Sequence, residues 1–104
     1  MVDVITNNME RIIETCKKMQ VESLYLFGSG TNSSKFNEES DLDFLFRFKK
    51  NEEGISISDY DYFDLMFTLE EITGKKVDLV AEEKLINKYF INRLNKEKIK
   101  LYES

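Results

Sequence analysis

Histidine is absent from this sequence, and cysteine occurs once, as Cys16. Histidine is the commonest general base and the commonest metal ligand among protein side chains, so its absence argues against triad hydrolases and zinc enzymes. A lone cysteine builds no disulfide framework, and helical spacing from Ile12 and Met19 predicts that Cys16 is buried. Any chemistry must therefore rest on carboxylates, hydroxyl groups and cations.

The sequence also lacks a basic segment followed by an apolar stretch at its start, and it has no apolar run of membrane-spanning length. We therefore expect a cytoplasmic protein with no membrane partner. The net charge of -5 disfavours autonomous binding to nucleic acid, although residues 81 to 104 hold six lysines or arginines against four glutamates. We interpret that mildly basic stretch as a solvated helix face.

The length of 104 residues predicts one domain, residues 1–104, with no separate domain for a substrate. A large acceptor would then have to meet this domain directly. The composition, 41 per cent hydrophobic and 34 per cent charged, is globular.

Hydrophobic periodicity predicts the order helix, strand, loop, strand, helix, strand, helix, which describes an α/β unit. The expected helices cover about 6–20, 58–73 and 85–95, and the expected strands cover 24–27, 41–48, 77–81 and 99–102. Ser58 is the expected N-cap of the second helix, with Ile57 packed onto Tyr62, and Gly74 follows its last turn.

The pair Asp41 and Asp43 is the first candidate for chemistry. Residues two apart on a strand project from one face, with Cα atoms roughly 7 Å apart. Two such charges repel by about 2 kcal/mol at an effective dielectric constant near 20. A fold rarely keeps a repulsive pair of this kind for stability alone. Carboxylate oxygens of this kind suit Mg²⁺.

Asp78 is a third candidate, because it interrupts the apolar segment 77–81. A third carboxylate on an adjacent strand would permit a site for two metal ions and could help to deprotonate an attacking hydroxyl group. The alternative is an acid at a strand end that faces water or pairs with Lys75 or Lys76.

Gly28 and Ser29 close the first predicted strand. Glycine lets the backbone approach a ligand, and serine supplies a hydroxyl group and an amide to phosphate oxygens. A Gly-Ser pair after a strand is commonly only a turn. The combination of features is more specific than any one of them. The chain has, in order, a strand, Gly-Ser, a loop, Asp-x-Asp on a second strand and a single Asp on a third.

These segments, 26–29, 40–45 and 77–80, together with the closing 99–103, resemble the minimal nucleotidyltransferases (MNT) of the DNA polymerase beta superfamily. The resemblance implies a nucleotidyltransferase fold like the polymerase beta palm, a small mixed sheet flanked by helices. It implies that Gly28 and Ser29 hold the triphosphate, and that Asp41, Asp43 and Asp78 are catalytic and bind Mg²⁺, with two ions expected. The loop 30–40 differs from the family, in which a basic residue and a further glycine are common.

The resemblance also implies a partner and a reaction. Proteins of this type are commonly encoded beside a HEPN-domain ribonuclease toxin, so the expected function is that of an antitoxin that transfers AMP from ATP to a tyrosine of that toxin. Two alternatives stay open: transfer to a small-molecule hydroxyl group, and a non-catalytic module that neutralises its partner by occlusion.

Four aromatic residues, Tyr60, Tyr62, Phe63 and Phe67, cannot all lie on one inward stripe of the second predicted helix. We expect most of them to pack in the core. Any that are exposed would favour contact with a partner or self-association.

Overall fold

The computed structural model describes residues 1–104 and contains one four-stranded mixed sheet. The strands are β1 (Val21–Phe27), β2 (Leu42–Phe48), β3 (Val77–Ala81) and β4 (Ile99–Glu103), and the helices are α1 (Asp3–Thr6), α2 (Met9–Lys18), α3 (Tyr62–Thr73) and α4 (Lys88–Glu97). In the sheet order β3-β2-β1-β4, β1 is antiparallel to β2 and β4, and β2 is parallel to β3. The parallel pair requires a crossover connection, which α3 provides.

The main core lies between one face of the sheet and the helices α2 and α3. On β2 the even-numbered side chains, such as Phe44, point into this core, and they meet Ile12 and Cys16 of α2 and Leu65 of α3. Side chains alternate between the faces of a strand, so the odd-numbered positions of β2 lie on the opposite face. That opposite face carries the acids, as the sequence predicts.

Part of this second face is buried as well. Leu45, which shares the face of Asp43 because it is two residues further along the strand, is only 2% exposed. Leu45, Ile91 and Leu94 line one cavity of about 240 Å³, which shows that α4 lies over the middle of β2. Asp41 and Asp78 are exposed and Asp43 is half-buried, so the end of the sheet that carries them is open to solvent.

The four predicted strands are confirmed, and β1 begins three residues earlier than expected. The predicted start of α3 is wrong. Asp61 is the N-cap, and its side chain and that of Asp64 bond each other's backbone N–H groups in a capping box. The Ser58 hydroxyl donates instead to the Met19 carbonyl at 2.5 Å, and Ile57 is exposed. Gly74 ends the helix in the left-handed conformation, as predicted.

The predicted start of α4 is also wrong. The helix begins at Lys88, after Asn87, whose side chain accepts from the Phe90 N–H. Leu85 and Ile86 therefore lie before the helix, and Ile86 is 90% exposed. The short helix α1 was not predicted, because its four residues are too few to show a periodic pattern.

The four aromatic residues divide into two pairs. Tyr60 and Tyr62 pack against the core, whereas Phe63 and Phe67 are more than half exposed and stack on each other, with ring centroids 6.2 Å apart. Core packing therefore explains only half of the set.

No helix of the structure is long and apolar enough to span a bilayer.

Candidate active site

Asp41, Asp43 and Asp78 lie together at the open end of the sheet. Asp43 of β2 and Asp78 of β3 are register partners in the parallel pair. Register partners on neighbouring strands project from the same face of a sheet. Asp41 precedes Asp43 by two residues and therefore shares this face.

The electrostatics confirm that the three acids are close enough to interact. The pKa of Asp43 is raised from 3.8 to about 6, first by burial and then by the charges of Asp78 and Asp41. None of the three carboxylates accepts a hydrogen bond or forms an ion pair within the protein. Asp78 therefore does not pair with Lys75 or Lys76, but its side chain is exposed to water, as the alternative also allowed. The cluster holds like charges without a hydrogen-bond or ion-pair partner in the protein.

Gly28 brings the end of β1 against these acids. Phe27 is the register partner of Asp43, so the next residue lies beside the Asp43 side chain. Gly28 has φ +70°, and a Cβ atom at this position would collide with Oδ2 of Asp43. The left-handed conformation and the close approach both require glycine here. This contact joins the Gly-Ser turn and the carboxylates into one site.

Ser29 lies in the 3-10 turn Gly28–Thr31 that follows β1. The Thr31 hydroxyl closes the turn by donating to the Gly28 carbonyl at 2.7 Å, whereas the Ser29 hydroxyl takes part in no hydrogen bond. A free hydroxyl group and free backbone N–H groups beside a carboxylate cluster can serve as donors to phosphate oxygens.

Gly30 was not recognised from the sequence as a structural residue. It is buried, and its carbonyl accepts from the Val2 N–H at 3.1 Å. A Cβ atom at Gly30 would lie 3.2 Å from a methyl group of Leu42 and 3.3 Å from one of Leu26. This packing fixes the turn over the sheet end. The sequence signal is weak, because a second glycine in a Gly/Ser-rich loop also fits a simple flexible turn.

An aromatic pair lies next to the acids and was also missed. Phe27 of β1 meets Phe90 of α4 edge to face, with ring centroids 6.5 Å apart. Because Phe27 is the register partner of Asp43, this pair is next to the carboxylates on the β1 side.

The residues present fit a divalent cation that is shared with a substrate. No group of three or more metal-ligating side chains is already arranged to hold an ion without help. Mg²⁺ typically binds through one or two carboxylates together with water and substrate phosphates. Asp43 with Asp41 or Asp78 supplies that number of oxygen ligands, and the uncompensated charge favours a cation. The arrangement therefore suits a metal ion that arrives with a phosphate ester.

Comparisons with known proteins identify the family of this chain. Residues 10–104 match the family model described as polymerase beta, nucleotidyltransferase. A Methanocaldococcus jannaschii protein named "putative protein adenylyltransferase" is 38% identical over 72 residues, which span 69% of this chain and 68% of the relative.

Two solved structures share the fold. A structure described as a "putative minimal nucleotidyltransferase" is 28% identical, with a TM-score of 0.71 over 94% of this chain and 95% of that one. A complex of tri-AMPylated Shewanella oneidensis HEPN toxin with MNT antitoxin contains a chain that is 17% identical, with a TM-score of 0.62 over 95% of this chain and 72% of that one. The predicted nucleotidyltransferase fold is confirmed. The chain belongs to the polymerase beta nucleotidyltransferase family.

Proposed function

We propose that this protein is a Mg²⁺-dependent adenylyltransferase that moves AMP from ATP to a tyrosine of a HEPN ribonuclease toxin and so acts as its antitoxin. The observation that carries the proposal is the set of three unpaired carboxylates at one end of the sheet, of which Asp43 lies directly against Gly28. The name of the M. jannaschii relative supports transfer to a protein. The AMPylated toxin in the S. oneidensis complex supports the HEPN acceptor.

Each site residue has a role in this proposal. The turn at Gly28 and Ser29 holds the triphosphate through backbone N–H groups and the Ser29 hydroxyl. Asp41, Asp43 and Asp78 would hold Mg²⁺ together with the phosphates of the nucleotide, with two ions expected. Mg²⁺ bound there would supply positive charge to balance that of the α-phosphate and the leaving pyrophosphate. The residues thereby place the α-phosphate where an acceptor can reach it from solvent.

The transfer is an in-line displacement at the α-phosphorus. The acceptor hydroxyl oxygen forms a bond to the α-phosphorus, and the bond from that phosphorus to the α,β-bridging oxygen breaks. The bridging oxygen and its electron pair leave with pyrophosphate. The hydroxyl proton passes to a carboxylate of the site, because the sequence contains no histidine to accept it. The products are the AMP ester of the acceptor and pyrophosphate.

The direct test is transfer of label from [α-³²P]ATP to the adjacent-gene HEPN protein in the presence of Mg²⁺. We expect label on the toxin with wild-type protein, none with [γ-³²P]ATP, and none after Asp43→Asn. Asp59→Asn is the matched control, because Asp59 is an exposed acid outside the site. An absence of toxin labelling under all conditions would refute this acceptor.

The two alternatives predict different results from the same variants. If occlusion alone neutralises the toxin, Asp41→Asn and Asp43→Asn will still protect cells from it. If the acceptor is a small molecule, ATP will be consumed with release of pyrophosphate while the toxin stays unlabelled.

A further inference from the structure

The candidate site has a large excess of negative charge and few cations. A nucleoside triphosphate would bring its phosphate charges to a cluster of three carboxylates. The loop between Gly28 and Asp41 contributes a single cation, Lys35, which is exposed, and it also contains Glu38 and Glu39. The backbone and hydroxyl donors of the turn carry no full charge. Cations from elsewhere in the chain would therefore matter for holding the outer phosphates.

Lys76 lies at the edge of this site. Leu42 and Val77 are register partners, and the Leu42 N–H donates to the Lys76 carbonyl at 2.9 Å. Asp41 directly precedes Leu42, and Lys76 directly precedes Val77. Lys76 therefore lies next to Asp41. Residues two apart in an extended segment share a face, so Lys76 is on the same face as Asp78. The lysine and the acids thus border one open end of the sheet.

The Lys76 ammonium group has no structural partner. It is exposed, and it takes part in none of the hydrogen bonds or ion pairs of the protein. The neighbouring Lys75 differs, because its ammonium group donates to the Glu38 carbonyl at 3.1 Å and lies 5.2 Å from the centre of the Phe36 ring. Lys75 therefore ties the loop to the start of β3, whereas Lys76 is available to a ligand.

We propose that Lys76 binds the β- or γ-phosphate of the nucleoside triphosphate and so positions it against the Gly28–Ser29 turn. The proposal rests on the proposed function, since it assumes that the site takes a triphosphate. Lys76 supplies the cation that the loop 28–41 does not place at the carboxylates. The role is in substrate binding, and no proton or bond of the reaction involves this side chain.

The test compares affinities for two nucleotides by isothermal titration calorimetry in the presence of Mg²⁺. The first is α,β-methylene-ATP, which cannot be cleaved at the bond that breaks in adenylyl transfer, and the second is AMP, which lacks the outer phosphates. We expect Lys76→Gln to weaken binding of the triphosphate roughly tenfold or more, as for loss of a charged hydrogen bond, and to change AMP binding less than about twofold. Lys76→Arg should restore most of the affinity.

Lys75→Gln is the matched control, because it removes the same charge one residue away. We expect it to weaken triphosphate binding much less than Lys76→Gln does. If wild type and Lys76→Gln bind the triphosphate with equal affinity, the role proposed for Lys76 is refuted and the proposed function is not affected. Equal losses in Lys75→Gln and Lys76→Gln, or equal losses for AMP and the triphosphate, would refute that role too. A wild-type protein that binds no triphosphate would overturn this inference together with the proposed function.

Discussion

Replacing Asp43 by Asn should make the metal-free protein more stable at neutral pH while it removes activity. Asn has nearly the same shape as Asp but no charge, so the substitution removes the repulsion from Asp41 and Asp78 and the cost of burying a carboxylate. A rise of the Asp43 pKa from 3.8 to about 6 would correspond to about 3 kcal/mol in a fully buried group. Asp43 is only partly buried, so solvent screening reduces the expected gain to about 1 to 2 kcal/mol.

The pH dependence follows from the direction of this shift. An acid whose pKa is raised by folding binds its proton more tightly in the native state, so its contribution to stability is full below about pH 3.8 and is lost as the pH rises through about 6. The advantage of Asp43→Asn should therefore be largest at pH 7 and should shrink as the pH falls toward 4.

The assay is urea unfolding of wild type, Asp43→Asn and Asp59→Asn between pH 4 and pH 7.5, without metal and with chelator present. Asp59→Asn controls for the loss of one negative charge from an exposed position. An Asp43→Asn variant that is less stable than wild type at pH 7, or whose advantage does not change with pH, would refute the reasoning. The same result from Asp59→Asn would assign the effect to overall charge.

Three further predictions concern single residues. Gly28→Ala should destabilise the protein by more than Gly74→Ala in thermal unfolding. Both positions have positive φ, for which a cost of about 1 kcal/mol is typical, but only a Cβ atom at Gly28 would collide with Asp43. Asp61→Ala should cost about 1 kcal/mol in urea unfolding through loss of the capping box, and Asp61→Asn should cost less because Asn is also a good N-cap. Burial raises the pKa of the Cys16 thiol to about 12, so the native protein should resist a thiol reagent at pH 8. The rate of labelling should equal the rate at which the protein unfolds around Cys16, and rapid labelling of the folded protein would contradict the burial.

The strands and the acids could be predicted because their signals are local. Alternation along β2 shows which face carries Asp43, and an isolated acid in the apolar segment of β3 marks Asp78. Gly74 was also predictable, since a glycine after a helix has a known conformation. What the spacing alone could not show was that Asp43 and Asp78 are register partners, because strand pairing depends on the whole fold.

The missed features depend on tertiary contacts. Ser58 and Asp61 are both good N-caps, and the choice between them follows from the hydrogen bond between the Ser58 hydroxyl and Met19, 39 residues away. The burial of Leu45 depends on where α4 crosses the sheet, which no periodicity within β2 reveals. Gly30 is needed because Leu26 and Leu42 come together beneath it.

The central claim is that the carboxylates and the Gly28–Ser29 turn form one site for a metal ion and a triphosphate. Its most direct test is the affinity for α,β-methylene-ATP with and without Mg²⁺, in wild type and in Asp43→Asn. We predict that Mg²⁺ tightens nucleotide binding to the wild type by roughly tenfold or more and that this dependence is lost in the variant. The same Mg²⁺ dependence in both proteins would contradict the claim, because the metal ion would then bind without Asp43.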